Sequence, residues 1–243
     1  MDDRLDGRGG LVTGGGRGIG AAIVSELARL GAGVVVTDLS DAAGEETVSG
    51  VATAGGEALA VVGDVRRFAD LERARDACLA RFGRVDFVVA NAGVGDSSSL
   101  VDGDPEGWRL TLEVNVLGVA QTVRSVLPTM LAQGDGHIVL IASVSGRESY
   151  VGEPIYVASK WAVVGLGHAL RKETAGTGVR VTLIEPGVVD TPLARGNVFA
   201  QALFESIEPL QPEDIGRAVG WVLRHPKRMA INELVLRSTG QEL

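Results

Sequence analysis

The chain holds one cysteine, Cys78, among 243 residues, so no internal disulfide can form. Cys78 falls in a helical pattern and is expected to pack in the core. Aromatic residues make up 4% of the chain, which leaves core filling to Val, Leu, Ile and Ala. His137, His168 and His225 are scattered and have no ligand spacing, so no metal centre is expected. Positive charge is in deficit: the formal net charge is −8, which removes the electrostatic basis for binding nucleic acid. No apolar run approaches the ~20 residues that a membrane span needs. The opening Met1-Asp2-Asp3-Arg4-Leu5 has no apolar h-region, so no secretory leader is expected and the chain is assigned to the cytoplasm.

What the sequence does contain is an alternation of short apolar runs with helical patterns, from one end to the other. Strands are predicted over 11–12, 34–36, 58–62, 87–90, 138–142, 179–184 and 233–236. Helices are predicted over about 19–30, 42–54, around 71–78, 108–131, 155–174 and 215–223. The strands read as continuous β-branched runs, which suits parallel strands covered on both faces. Strand–helix–strand alternation with right-handed crossovers implies an α/β, Rossmann-type doubly wound parallel sheet of about seven strands. No repeat, low-complexity segment or linker divides the chain. One domain over 1–243 is expected, with a cofactor half to about 135 and a catalytic and substrate half from about 136.

The segment Thr13-Gly14-Gly15-Gly16-Arg17-Gly18-Ile19-Gly20 sits between the first strand and the first helix. A tight turn, a close backbone approach to a pyrophosphate and tight helix–strand packing all ask for glycine there. The helix N-terminus then offers free N–H groups to phosphate. No Gly-Lys-Ser/Thr follows, so a phosphate-loop NTPase is excluded. Asp38 ends the second strand, where a carboxylate can accept both ribose hydroxyls of an adenosine and repel a 2′-phosphate. That favours NAD. Arg17 pulls the other way, since a guanidinium in the glycine loop can grip a 2′-phosphate, and it can equally be neutralised by Asp38. NADP therefore stays as the alternative. Asp64-Val65 and Asn91-Ala92-Gly93 follow the third and fourth strands, at the edge where open α/β sheets bind ligands.

Ser143 is placed at the end of the fifth strand, with Tyr156 thirteen residues on and Lys160 four residues further. Positions i and i+4 of a helix share a face. An ammonium beside a phenol favours the phenolate and lowers its pKa, and a tyrosine tuned in that way can move a proton to or from a substrate oxygen. Ser143 can hold the same oxygen by a hydrogen bond.

With these residues in hand, the chain resembles the short-chain dehydrogenase/reductase family over nearly its whole length. The likeness rests on the loop at Thr13–Gly20, Asp64, Asn91-Ala92-Gly93, Asn115, Ser143, Tyr156-x-x-x-Lys160 and Pro186-Gly187, in family order. The resemblance implies hydride transfer between a nicotinamide cofactor and a secondary alcohol or ketone. It implies Tyr156 as general acid/base, Lys160 on the nicotinamide ribose and Ser143 on the substrate oxygen. Asn115 would anchor a water in a proton relay behind Lys160. It further assigns Gly14, Gly16, Arg17, Gly18, Ile19, Gly20, Asp38, Asp64, Val65, Asn91, Ala92, Gly93, Pro186, Gly187, Val189 and Thr191 to cofactor binding, with Thr191 on the carboxamide.

Three departures stand out. Ala90 replaces the first Asn of the usual Asn-Asn-Ala-Gly, and the common glycine-rich C-terminal ending is absent. The tail, with Ile231-Asn232-Glu233-Leu234 and Arg237-Ser238-Thr239-Gly240-Gln241, resembles a subgroup that often prefers NADP, against the signal of Asp38. The competing readings are an NADP-linked ketoreductase and a non-catalytic dinucleotide sensor; the second is disfavoured by the presence of Asn115, Ser143, Tyr156 and Lys160. Arg147, Glu148, Tyr150 and Glu153 are candidates to line the substrate pocket. Residues 193–208 are expected to cap it, with Leu203, Phe204 and Ile207 closing over an apolar substrate. Trp161 is read as packing in the core, with an oligomer contact as the alternative. Helices 108–131 and 155–174 carry more apolar surface than one sheet face needs, which predicts a homo-oligomer, a tetramer with two-fold axes.

Overall fold

A computed structural model of the chain describes residues 4–242; Met1–Asp3, part of the polar start, lie outside the described residues. The strands are β1 (Gly9–Thr13), β2 (Gly33–Asp38), β3 (Glu57–Val62), β4 (Phe87–Ala90), β5 (Gly136–Ile141), β6 (Val179–Pro186) and β7 (Glu233–Leu236). They form one seven-stranded sheet in the order β3-β2-β1-β4-β5-β6-β7. Every neighbouring pair is parallel, as the unbroken apolar runs predict.

Alternate strand residues face opposite sides, and each side has its own core. Val12, Val34, Val36, Phe87 and Val89 pack with Ile23, Val24 and Leu27 of α1 (Gly18–Arg29), Val51 of α2 (Asp41–Thr53) and Ile215 and Val219 of α9 (Pro212–Leu223). Their neighbours Leu11, Val35, Val88 and Ala90 pack on the other side, with Ala74 and Cys78 of α3 (Phe68–Phe82) and with α5 (Val119–Gln133) and α6 (Pro154–Glu173). Cys78 is fully buried, and burial pushes its thiol pKa up to about 12. The chain from β1 goes to β2 on one side, and β4 lies on the other side of β1. The order therefore reverses between β1 and β4, which opens a crevice at their carboxyl ends.

The predicted helix over 108–131 is not one helix. It is α4 (Pro105–Leu112), a π-helical turn at Glu113–Gly118 and α5 (Val119–Gln133). Such a turn rotates the residues after it out of the α-helical register, and here it carries the buried Asn115. Ser143 does not end β5, which stops at Ile141; it caps a short 3₁₀ turn at Val144–Gly146, its hydroxyl accepting from Ser145 N at 3.1 Å. Helix α6 (Pro154–Glu173) is as predicted to within a residue. The segment after β6 folds as two short helices, α7 (Pro192–Arg195) and α8 (Val198–Phe204), before α9 (Pro212–Leu223). Trp161 is not packed in this chain: it is 49% exposed, on the outer side of α6. Leu110, Leu117 and Leu131 are exposed as well. Among the described residues no helix is long and apolar enough to cross a membrane, and no group of His, Cys, Asp and Glu could hold a metal ion.

Candidate active site at the carboxyl edge of the sheet

The glycine loop is shaped by contacts that leave no room for side chains. Gly14 has φ +62°, and a Cβ on Gly20 would lie 2.0 Å from the Gly14 carbonyl oxygen, so α1 can start this close to β1 only with glycine at both places. Arg17 precedes α1 and gives no side-chain cap, which leaves the first-turn amides of Gly18, Ile19 and Gly20 without a side-chain acceptor. Asp38 faces the loop: Gly16 N donates to Oδ2 at 3.0 Å and Ser40 N to Oδ1 at 3.0 Å. Each oxygen keeps a further lone pair for a second donor. Arg17 is exposed and makes no ion pair among the described residues, so of its two readings the pairing with Asp38 is not the one adopted. Beyond Asp38 lies an open cleft of about 570 Å³, lined by Leu39, Val62, Asp64 and Arg67 among others. Arg66 pairs with Asp64 at 2.6 Å and holds its carboxyl below the usual range. Val65 is buried behind it, packed with Leu71 and Val114.

Asn91 joins two strand ends. Its Nδ2 donates to the carbonyls of Thr13 (2.9 Å) and Gly14 (3.1 Å), while Thr13 Oγ1 accepts from Asn91 N and Ala92 N, both at 3.2 Å. Gly93 follows beneath Asn115, whose Oδ1 would lie 3.4 Å from a Cβ there. Asn115 itself is wholly committed: Oδ1 accepts from Val94 N at 2.9 Å, and Nδ2 donates to Val94 O at 2.9 Å and Ser159 Oγ at 3.1 Å. Ser159 had no assigned role in the sequence; its place one residue before Lys160 and three after Tyr156 was the available signal.

On α6, Tyr156 and Lys160 share a face as predicted, with Nζ 5.6 Å from the centre of the phenol ring. Lys160 Nζ donates to the Ile141 carbonyl at 3.2 Å. Burial lowers Lys160 to about 8, so it still carries its charge at neutral pH. Burial raises Tyr156 to about 12, a hydrogen bond with Ser143 pulls it down, and the charge of Glu153 adds to the rise. The depressed tyrosine expected from the Tyr–Lys spacing is therefore not present in the chain by itself. The ammonium lies over the ring rather than at the hydroxyl, and desolvation of the phenolate outweighs it.

Past β6, Gly187 N donates to Leu236 O at 2.7 Å, and Gln241 Oε1 accepts from Val188 N at 3.1 Å, so the C-terminal tail closes over Pro186-Gly187. Val189 is buried. Thr191 caps α7, accepting from Ala194 N at 3.1 Å, and its methyl would sit 3.5 Å from a Cβ on Gly18. The cap segment thus begins against the glycine loop. Of its apolar residues, Leu203 is 38% exposed, and Ile207 packs on the tail at Gly240.

Of the four residues expected to line the pocket, Arg147 does not. Its guanidinium is bound by the fully buried Glu185 and by Glu233, which raises its pKa and braces β6 to β7. Glu148 pairs with Arg237 at 2.7 Å and accepts from the Tyr150 hydroxyl at 3.2 Å. Glu153 alone has a charge that reaches the Tyr156 phenol.

Comparison with known proteins agrees with this layout. A family model described as short chain dehydrogenase matches residues 10–201. This chain belongs to the short-chain dehydrogenase/reductase family. It is 37% identical over 231 residues to an uncharacterized oxidoreductase of Staphylococcus saprophyticus, covering 93% of this chain and 95% of that one. Levodione reductase superposes with a TM-score of 0.90 at 27% identity, over 96% of this chain and 97% of its own. An alcohol dehydrogenase of Thermococcus sibiricus, solved with 5-hydroxy-NADP, superposes at 0.87 with 30% identity, over 97% and 98%.

The family binds a nicotinamide cofactor, and the residues of this short-chain dehydrogenase/reductase fit one. The uncapped first turn of α1 offers amides to a pyrophosphate, the cradle at Gly14, Gly16 and Gly20 has no space for side chains, and Asp38 beside the loop keeps acceptor capacity beyond the Gly16 and Ser40 amides.

Since burial raises the Tyr156 pKa, its neutral form must persist to higher pH than in a free tyrosine, which is half ionised near pH ~10. The chain has two tyrosines. In Tyr150→Phe, ultraviolet titration without cofactor should show almost no phenolate at pH ~9 and a small fraction at pH ~10. Half ionisation at or below pH ~9 would show that burial does not govern Tyr156.

Proposed function

We propose that this chain transfers a hydride between a nicotinamide dinucleotide and a secondary alcohol or ketone, with Tyr156 as the general acid/base. The observation that carries this reading is the convergence of Tyr156 and Lys160 on one face of α6, with Nζ 5.6 Å from the phenol ring centre and Ser143 close enough to act on the phenol. When bound, the nicotinamide supplies the hydride acceptor or donor. In the oxidation direction the carbinol carbon gives up a hydride and its hydroxyl proton passes to Tyr156. Ser143 holds the same oxygen. Lys160, kept in place by the Ile141 carbonyl, holds the nicotinamide ribose and places a positive charge near the phenol. The Asn115 side chain is taken up by Val94 and Ser159, so its part in any water relay falls to its main-chain carbonyl.

Tyr156→Phe should abolish turnover while cofactor binding survives, because only the proton-carrying oxygen is removed. Turnover rate and cofactor dissociation constant decide this; near wild-type turnover removes Tyr156 from the mechanism.

We favour NAD over NADP. Asp38 would accept from the ribose hydroxyls, whereas a 2′-phosphate there meets a like charge. At an effective dielectric of ~20, unit charges ~4 Å apart repel by about 4 kcal/mol, less after screening by salt. A residual ~1.4 kcal/mol still means a tenfold preference. In favour of NADP stand the C-terminal tail, the Thermococcus sibiricus relative solved with 5-hydroxy-NADP, and Arg17, exposed and without an ion pair among the described residues. Asp38→Ser should move the ratio of catalytic efficiencies toward NADP by about tenfold or more. A parent that already prefers NADP, or a ratio unmoved by the substitution, shows that Asp38 does not select the cofactor.

The exposed Leu110, Leu117, Leu131 and Trp161 on α4 to α6 support a homo-oligomer with two-fold axes, most simply a tetramer. Sedimentation at micromolar concentration should give a species several times the 25.2 kDa chain mass; a monomer alone overturns the assembly.

A further inference from the structure

Glu153 stands one turn before Tyr156, at the N-terminus of α6, and is 8% exposed. Asn197, between α7 and α8, donates from Nδ2 to Glu153 Oε1, which ties the cap to the active-site helix. Glu153 Oε2 receives no protein donor among the described residues. A second carboxylate comes from the loop after β4: Asp96 Oδ1 accepts from Ser98 N at 3.1 Å, while its Oδ2 is buried with no partner. The same loop touches the cap, where a Cβ on Gly95 would lie 3.4 Å from Leu193 Cδ1. Three segments therefore meet near Tyr156 and bring two carboxylates: Asp96, whose buried Oδ2 finds no partner among the described residues, and Glu153, whose Oε2 keeps only solvent contact.

Cations in the neighbouring segments are engaged elsewhere: Arg147 by Glu185 and Glu233, and Arg195 by Asp190 at 2.6 Å. A buried carboxylate oxygen with neither hydrogen bond nor counter-charge is costly. An apolar substrate would leave Asp96 Oδ2 unpaired and strip the remaining solvent from Glu153 Oε2, and an anionic one would add repulsion. A substrate with its own hydrogen-bond donor removes it. Burial, and the nearby Asp96, hold the Glu153 carboxyl above its ordinary pKa against the Asn197 hydrogen bond, as expected for a charge that lacks a partner.

We propose that Glu153 selects the substrate, Oε2 accepting from a hydroxyl or ammonium on the carbon next to the reacting carbinol, so that this enzyme acts on vicinal diols or amino alcohols and the matching hydroxyketones or aminoketones. Glu153 is the N-cap residue of α6, three residues before Tyr156, and its charge reaches the phenol, so a donor bound by Oε2 belongs on a carbon beside the one whose oxygen Tyr156 holds. This rests on the oxidoreductase reading above and names its substrate class. It replaces the expectation of an apolar substrate closed over by Leu203, Phe204 and Ile207.

The test compares kcat/KM for four three-carbon alcohols: propan-2-ol, propane-1,2-diol, 1-aminopropan-2-ol and 2-hydroxypropanoate, with NAD and NADP. The diol or the amino alcohol should exceed propan-2-ol by about tenfold or more, and the hydroxy acid should fall below it. Which of the two leads identifies hydroxyl or ammonium as the donor. Glu153→Gln keeps the size of the side chain. With its carbonyl still held by Asn197, it turns an N–H donor toward the substrate in place of Oε2. The advantage over propan-2-ol should then vanish. An advantage that survives in Glu153→Gln, or a parent that treats propan-2-ol or the hydroxy acid as well as the diol and the amino alcohol, overturns the proposal. Failure of the underlying oxidoreductase reading has a separate signature: none of the four alcohols and none of their ketones is turned over with either cofactor, which overturns the substrate assignment with it.

Discussion

The seam between β1 and β4 supports the rest of the site. The helices that follow these two strands pack on opposite faces of the sheet, so their ends would splay without a tie. Thr13 and Asn91 supply it: one hydroxyl takes two main-chain amides and one carboxamide gives to two main-chain carbonyls. Buried backbone groups at a strand end must find partners, and here they find them across the seam. The glycine turn on one side and the loop toward Asn115 on the other both begin from this fixed point. Asn91 thereby holds the start of the glycine loop in place.

From the seam the bracing continues to the chemistry. Asn115 reaches back from the π turn to both main-chain groups of Val94 and sideways to Ser159. Ser159 donates to the Tyr156 carbonyl at 2.7 Å, so strand end, π turn and active-site helix form one connected unit. Burial dominates the electrostatics inside that unit. It drives the phenol up and the ammonium down, the direction that low dielectric imposes on both charged forms. The farther side of the sheet is braced differently, by Arg147 between the carboxylates of β6 and β7.

Much of this was legible in the amino-acid order. The parallel sheet followed from unbroken Val-rich runs, because a strand covered on both faces needs no polar side. The glycine loop was legible because only glycine permits the Gly14–Gly20 approach. The shared face of Tyr156 and Lys160 followed from helical period alone. Other features had no local signal. A continuous apolar period hid the π turn, since its driving contact, Asn115 to Val94, joins residues 21 positions apart. Trp161 read as core, yet its direction depends on how α6 rolls on the sheet.

The sequence by itself thus determined the sheet, the family and the residues at the carboxyl edge, since period, glycine placement and short-range spacing are local properties of the chain. Tertiary structure alone decided where charge is satisfied. Arg147 and Glu153 lie six residues apart in one segment; the first is drawn to Glu185 and Glu233, and the second is held by Asn197 with one oxygen left over. No pattern along the chain separates them. The difference is made by which distant groups fold against each, and by how much water burial removes.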